Sequence, residues 1–510
     1  MKPIVTAKEM YDIDQYTIRN VGISGESLME SAGLVIAQRL KAEIPLNEKV
    51  AVLVGKGNNG GDGLVIGRLL QGYGYQVDVW MISSFQDLKG DAKGALLHYE
   101  NAGYVIRSYQ DEKDLFHALL PRYDHVIDAL LGIGIKGGPR TPYKEIIDQL
   151  NHLHSMVYSI DLPSGIEADG GEIEAAVKAN KTFTIQAPKT GAYMFPSANY
   201  YGQVETVDIG IPLISIEKSS RYKREWEEGD VVRTFPRRTR SSHKGSYGRG
   251  GVVGGSATMI GAPILSSGAA LRTGVGLLTI YVPESIRSVV ASHITEGMYR
   301  GLQEENGYFL GDISFDDVKL GAIAVGPGMG RTEGGTRIVR SVLQQDSTVI
   351  VDADGLTHLK KCWDLLQHRK APTIITPHPG EMSMLMDMTV DEVEHNRFEV
   401  SRELATKHNV YVVLKGPFTI VTTPTGEQFV NTTGNPGLAK GGTGDTLTGM
   451  ILGFVLQHES VQEALSNAVY MHGKVADLLL EKGHSMVDIV ATDLIKHLPK
   501  ALSQLLQHEK

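Results

Sequence analysis

The sequence predicts an α/β protein of two domains, each a mainly parallel sheet flanked by helices. Three observations carry that expectation. The chain has 510 residues, more than the roughly 100 to 200 of an ordinary domain. Short, β-branched apolar runs recur along it, each ending in Gly, Asp or Pro and followed by a helical pattern, which is the texture of βαβ units. One stretch, 217–240, carries eight basic and five acidic residues in 24, against 21% charged overall, and reads as a connector. The expected division is 1–215, a connector at 216–229, and 230–510. A charged helix lying on a single domain is the competing reading of that stretch.

In the first half, the runs 50–54, 76–82, 125–131, 156–160 and 182–185 are too short and too β-branched for helices. Ahead of them, 7–40 holds capping residues near Ser24 and an apolar face through Leu34, Ile36 and Leu40, which predicts a helical hairpin. In the second half, 252–253, 277–282, 322–325, 349–351, 373–376 and 411–414 read as strands on the same grounds. Ligands of open α/β sheets bind beyond the carboxyl ends of the strands, so the loops there are the places to look for function.

Composition narrows the function classes. Fifty basic against 59 acidic residues leave a net charge of −9, so no global basic field holds a nucleic acid. Hydrophobic residues make up 42%, enough for large cores. Cys362 is the single cysteine, which excludes an intramolecular disulfide and fits a reducing cytoplasm. No apolar run approaches the roughly 18 residues that cross a bilayer, so no membrane partner is expected. The 58 glycines cluster at strand ends, where ligand loops lie.

The first such cluster runs Gly55, Lys56, Gly57, Asn58, Asn59, Gly60, Gly61, Asp62, Gly63 after the strand at 50–54, with a helix expected from about Leu64. Glycines admit a ligand close to the backbone, and N–H groups at a helix start favour a phosphate. A turn-rich connection is the bland alternative. The run 125–131 contains Asp128 and leads into Gly132, Ile133, Gly134, Ile135, Lys136, Gly137, a formal G-x-G-x-x-G. Its glycines do not open a helix, which is expected only from Thr141 and Pro142, so a standard dinucleotide site is disfavoured against a phosphate-contacting loop. Asp161 follows the strand at 156–160, and Asp62, Asp128 and Asp161 together predict a cation or acid–base site. A strand-end aspartate also serves as a loop brace.

In the second half, Gly441, Gly442, Thr443, Gly444 and Asp445 precede an apolar helix expected over 446–455. Successive N–H groups and the helix dipole stabilise a phosphoryl group there, and a carboxylate at that point takes a proton from an attacking hydroxyl. A capped helix is the alternative. No G-x-x-x-x-G-K-[ST] pattern is present there, so this is not a Walker loop. Supporting loops follow other strands: Gly326 to Gly330; His378, Pro379, Gly380, Glu381; and Lys415, Gly416, Pro417, Phe418, Thr419.

The GNNGGDG, GIGIKG and DLPSG segments together resemble the epimerase half of the bifunctional NAD(P)H-hydrate repair enzymes. The second half resembles the ribokinase-like superfamily and, within it, the ADP-dependent NAD(P)H-hydrate dehydratases. The resemblance implies a Rossmann-like first domain that interconverts the R and S epimers of hydrated NADH and NADPH. It implies a ribokinase-like second domain that dehydrates the S epimer with ADP, giving AMP and phosphate. Carried over by motif, Asn58, Asn59, Gly60, Gly61, Asp62, Gly132, Ile133, Gly134, Ile135, Lys136, Gly137, Gly138, Tyr143 and Asp161 contact the nucleotide in the first site, with Asp161 the acid–base group. Asn59, Asp128 and Ser164 hold potassium. In the second site Ala262, Gly328, His378 and Asp445 contact the hydrate, with Asp445 as base. Lys415, Gly416, Pro417, Phe418, Thr419 and Gly444 contact the adenine nucleotide. Glu381 falls near magnesium, although HPGE departs from the usual Asn-x-x-Glu. A homo-oligomer, up to an octamer, is also implied.

Three other readings compete. A ribokinase-like small-molecule kinase with an N-terminal regulatory module explains GGTGD equally well but leaves the first-half loops unexplained. A scaffold function for the first half predicts no chemistry at Asp161. An NAD-dependent dehydrogenase is disfavoured by the displaced helix start after Gly137.

Overall fold

The computed structural model describes residues 1–219, 222–315 and 318–507. The chain forms two compact units, Pro3–Arg221 and Met1–Lys2 with Tyr222–Lys510. Within the charged stretch lie the end of a helix at Leu213–Ser219, a strand at Lys223–Glu225 and the helix Glu228–Thr234. Met1 and Lys2 go with the carboxy-terminal unit, where the Met1 ammonium lies 2.7 Å from Asp230.

Strands are numbered in chain order, β1 being Lys2–Pro3. The amino-terminal unit holds β2 (Lys49–Val54), β3 (Gln76–Met81), β4 (Ile106–Ser108), β5 (His125–Ala129), β6 (Met156–Ile160), β7 (Lys181–Ile185) and β8 (Gln203–Val207). Their order is β4-β3-β2-β5-β6-β7-β8, with every neighbouring pair parallel. The order reverses between β2 and β5, and at such a switch point the loops leaving adjacent strands diverge into a crevice. Two of these strands, β4 and β8, fall outside the runs expected from sequence. Their residues, IRS and QVETV, are mostly only half-buried and carry polar groups, so they lack the apolar signal of the central strands. The strand expected to reach 131 stops at Ala129, because the Leu130 N–H turns to Asp128 Oδ1 at 3.3 Å.

The expected helical hairpin is present as Ala7–Tyr16 and Gly25–Glu43. Thr6 and Glu9 close a reciprocal capping box on the first helix, and Ser24 caps the second.

In the carboxy-terminal unit the remaining strands are β9 (Lys223–Glu225), β10 (Arg249–Val253), β11 (Leu277–Pro283), β12 (Met298–Leu302), β13 (Glu304–Glu305), β14 (Tyr308–Phe309), β15 (Ala322–Val325), β16 (Thr348–Val351), β17 (Thr373–Ile375), β18 (Tyr411–Leu414), β19 (Ile420–Thr422) and β20 (Gln428–Val430). The main sheet runs β1-β9-β20-β19-β18-β17-β16-β15-β10-β11-β12, while β13 and β14 form a separate hairpin. It is parallel from β12 through β18 and antiparallel from β18 to β20. Val252 and Val253 on β10 enter different cores, one on each face of the sheet. Such two-sided burial is why these strands read as continuous apolar runs rather than alternating ones.

The helix Thr443–Val455 packs against Gly261–Arg272 on one of those faces, burying Leu447, Met450, Ile451 and Leu452. Each such side chain contributes about 1.5–3 kcal/mol. The approach is close enough that a Cβ on Gly449 would stand 2.0 Å from the Ser266 carbonyl oxygen.

Candidate active sites

In the amino-terminal unit the glycine-rich run is itself helix. The helix begins at Asn58 rather than near Leu64 and continues to Gly72. Its glycines are there for packing as much as for ligand access. A Cβ on Gly60 would lie 2.0 Å from the Gly55 carbonyl oxygen, one on Gly61 2.5 Å from Met29, and one on Gly63 2.6 Å from Ala129. Without those side chains the helix start seats directly on the switch point, and its first N–H groups have no intrahelical partner.

A cavity of about 630 Å³ opens there. Of the residues expected to contact the nucleotide, Asn58, Asn59, Asp62, Gly132, Ile133, Gly134, Ile135 and Asp161 line it. Gly60, Gly61, Lys136, Gly137, Gly138 and Tyr143 do not. Gly137 donates its N–H to Glu167 at 2.8 Å, and Gly138 lies against Glu174. The Tyr143 hydroxyl is buried beside Ser83 and the Lys56 backbone, without a hydrogen bond of normal geometry.

The three expected carboxylates separate into two environments. Asp62 and Asp161 line the cavity, whereas Asp128 is fully buried and hydrogen-bonded. Its oxygens accept from Ser164 Oγ at 2.5 Å, Ser164 N–H at 2.9 Å and Ser159 Oγ at 2.8 Å. Burial still pushes its carboxyl above the ordinary value, those hydrogen bonds opposing. Asp161, at φ 70°, receives the buried ammonium of Lys189 and the Ile185 N–H on one oxygen. Sequence reasoning missed Asp14 and Lys189, which complete the cluster. Lys189 follows β7 within a few residues, so the strand-end rule that singled out Lys415 also reaches it. Asp14 lies on a helix, where that rule has no purchase.

The carboxy-terminal site gathers loops from successive strand ends. The sheet order reverses at β10, where the loop after it meets the loop after β15: Gly255 N–H donates to the Pro327 carbonyl at 2.8 Å. Gly328, at φ 64°, lies against Ala262, to which an added Cβ would come within 3.0 Å. The helix bearing GGTGD begins at Thr443 rather than 446, after Gly442 in a left-handed conformation at φ 91°. The backbone angle favours glycine there, and a Cβ would stand 2.7 Å from the end of the Leu265 side chain.

Asp445 in that first helical turn has its carboxyl pushed up to about 7, by burial first and then by the nearby Asp352, with Lys415 opposing. Lys415 Nζ lies 2.9 Å from Asp352 Oδ1 and 3.7 Å from Glu381. A Cβ on Gly444 would stand 3.6 Å from the same ammonium. Asp352, which follows β16 directly, is absent from the sequence-based set. Burial raises its carboxyl, but Lys415 and Thr448 outweigh that and hold it below the ordinary value. A second missed residue, Arg397, is buried beneath the 415–419 loop. Its guanidinium donates to the carbonyls of Leu414, Lys415 and Phe418 at 3.0–3.4 Å, which fixes the loop's path. Gly416, Pro417 and Thr419 belong to the same turn, closed by Thr419 Oγ1 on the Gly416 carbonyl at 3.1 Å.

The HPGE segment is a capping box. His378 Nδ1 accepts from the N–H of Gly380 and Glu381 at 3.0 and 3.2 Å, while Glu381 Oε2 accepts the His378 N–H at 2.8 Å. Glu381 therefore stands committed to the helix start and to Lys415. No group of three His, Cys, Asp or Glu side chains is arranged to hold a metal among the described residues.

Comparison with known proteins supports this two-site description. A family described as YjeF-related protein N-terminus matches residues 25–191, and one described as NAD(P)H-hydrate dehydratase matches 251–500. Bifunctional NAD(P)H-hydrate repair enzymes of Thermofilum pendens and Moorella thermoacetica are each 34% identical over 98% of this chain, covering 96% and 97% of their own lengths. The solved ADP/ATP-dependent NAD(P)H-hydrate dehydratase of Bacillus subtilis, co-crystallised with ATP and Mg2+, is 36% identical, with a TM-score of 0.50, over 55% of this chain and 98% of its own. By full-length similarity to such relatives, and by both matched domains, this chain belongs to the family of bifunctional NAD(P)H-hydrate repair enzymes.

Proposed function

We infer that this protein is a two-activity repair enzyme, an isomerase and a lyase in one chain, that returns hydrated NADH and NADPH to use. The observation that carries the reading is the pairing of two separate carboxylate-bearing sites, one in each compact unit, at the switch points of two mainly parallel sheets. The amino-terminal site equilibrates the R and S hydrates, and the carboxy-terminal site dehydrates the S form. Fusion makes the whole damaged pool usable, because the epimer refused by one site is supplied by the other.

In the dehydratase site, Asp445 takes the proton of the C6 hydroxyl. The oxygen attacks the terminal phosphoryl group of ADP and AMP leaves. The unpartnered N–H groups of the GGTGD helix start stabilise charge on the transferring group. The ring-nitrogen lone pair then expels phosphate from C6, and loss of a C5 proton restores the dihydronicotinamide. Lys415 neutralises nucleotide phosphate, Ala262, Gly328 and His378 border the hydrate, and the 415–419 turn with Gly444 receives the adenine nucleotide. Since Glu381 is occupied as a cap, magnesium is read as arriving on the nucleotide's phosphates, where it offsets their charge.

Potassium suits the amino-terminal site by one observation. Asn59 Oδ1 is buried with no hydrogen-bond partner, while its amide nitrogen donates to the Leu131 carbonyl at 2.8 Å. With Asp128 and Ser164 nearby, the donor set is hard oxygen, and a bound monovalent cation supplies positive charge beside the nucleotide. Asn59→Ala should abolish the potassium response. The wild-type melting temperature is expected to rise with KCl but not with choline chloride at equal ionic strength, and the variant's to respond equally to both. Asp161, held by Lys189, contacts the hydrated ring in this reading. A cytoplasmic setting and self-assembly belong to the same proposal.

The direct test incubates the purified protein with mixed hydrate epimers and ADP, ATP or neither, following dihydronicotinamide absorbance. Complete recovery of both epimers is expected only with a nucleotide, and the more effective nucleotide identifies the phosphoryl donor. No recovery with magnesium and potassium present would favour the small-molecule kinase reading instead.

A further inference from the structure

The amino-terminal cavity holds more acidity than binding a nucleotide requires. Asp14, Asp62 and Asp161 line it together with a single buried ammonium, that of Lys189. Tyr11 and Asp91, with Lys56 at its exposed edge, are the other titratable groups of its lining. Lys189 is already committed: besides Asp161 it donates to the Ile185 carbonyl at 3.1 Å and to Thr184 Oγ1 at 3.4 Å. The ammonium and the Ile185 N–H both fall on the same oxygen of Asp161, at the end of a strand and in a strained left-handed backbone. That geometry holds Asp161 as an oriented acceptor. It leaves Asp14, from the first helix, and Asp62, from the glycine-rich helix, as carboxyls in the same cavity with no cation of their own.

We propose that Asp14 and Asp62 are the acid–base pair of C6 inversion, with Asp62 protonating the departing hydroxyl and Asp14 receiving the proton of the water that replaces it. This rests on the epimerase reading above and adds the groups that move the protons. The C6–O bond breaks with its electron pair on oxygen, which takes the Asp62 proton and leaves as water. The N1 lone pair forms the N1=C6 bond. Solvent water then adds to the opposite face of C6, the N1=C6 pair returns to N1, and Asp14 takes the proton lost by that water. For the other epimer the same steps run with the two carboxyls exchanged.

The environments of the two groups support the division of labour. Burial raises the Asp62 carboxyl well above its ordinary value, and Asp161 and Asp14 push the same way against Lys189. Burial also raises Asp14, to about 6, with Lys189 opposing and Asp161 adding. Burial and its acidic neighbours thus bias Asp62 toward its protonated form, while Asp14, at about 6, is mostly ionised at neutral pH and free to accept a proton, the arrangement that assigns acid and base in a two-carboxyl site.

The experiment follows inversion of separated hydrate epimers by the full-length protein in 18O-enriched water. The wild type is expected to place one solvent oxygen at C6 per inversion. Asp14→Asn and Asp62→Asn should each lower kcat for inversion about 100-fold or more, with Asp14→Glu recovering part of it and dehydration of pure S epimer unchanged in all three. Asp14→Asn inverting at the wild-type kcat would overturn the assignment. So would wild-type inversion with the original oxygen retained, a measurement that needs no variant to fold. A wild type that inverts nothing would refute the epimerase reading itself.

Discussion

Asp445→Asn is expected to slow nucleotide-dependent dehydration by about 10²- to 10⁴-fold, the usual contribution of a positioned general base, and to leave epimerisation at its wild-type rate. The carboxyl lies in the first turn of the Thr443–Val455 helix, where burial and the neighbouring Asp352 lift it to about 7. A base must be ionised to act, and a raised carboxyl loses that form as pH falls. The wild-type kcat/KM for dehydration should therefore be flat above neutrality and fall about tenfold per pH unit below about 7. In the asparagine variant that limb should disappear. The amide nearly matches the carboxyl in size, so the helix packing against Gly261–Arg272 is retained. Because the epimerase cluster belongs to the other compact unit, loss of both activities in a folded variant would sink the claim of independent sites.

Lys415→Met is expected to cost both stability and catalysis. Lys415 is half-buried, its ammonium 2.9 Å from the buried Asp352, whose other oxygen takes the Thr448 hydroxyl at 2.5 Å. Removing the cation strands a buried carboxylate, and breaking such a pair from one side costs about 3–5 kcal/mol. Removing the second charge as well relieves most of that penalty. Denaturant unfolding should thus place Lys415→Met well below wild type, with Lys415→Met combined with Asp352→Asn in between. Both variants should bind the adenine nucleotide weakly, since neither restores a cation beside Gly444. A single variant as stable as the wild type, or a double variant no more stable than the single, would show that the pair does not carry that energy.

Much of this architecture is legible in the sequence alone. Alternation of β-branched runs with helical patterns determined two mainly parallel sheets, because a strand buried on both faces reads as a continuous apolar run. Strand-end clusters of Gly, Asn and Asp pointed to the two candidate sites, because such residues let backbone N–H groups approach an anion. The family resemblance of GNNGGDG and GGTGD named the chemistry.

Tertiary structure decided the rest. Whether the glycines of each motif lie in a loop or in a helix depends on what presses against them, namely Gly55, Met29 and Ala129 in one site and Leu265 in the other. The GNNGGDG and GGTGD helices therefore begin earlier than local sequence indicates. Asp128 resembles Asp62 and Asp161 in sequence, yet two serines enclose it while the others line a cavity. Asp14 and Lys189 are separated by most of the first unit along the chain, and Lys415 from Asp352 by 63 residues. Juxtaposition across such separations leaves no local periodicity, so only the folded chain brings these groups to one site.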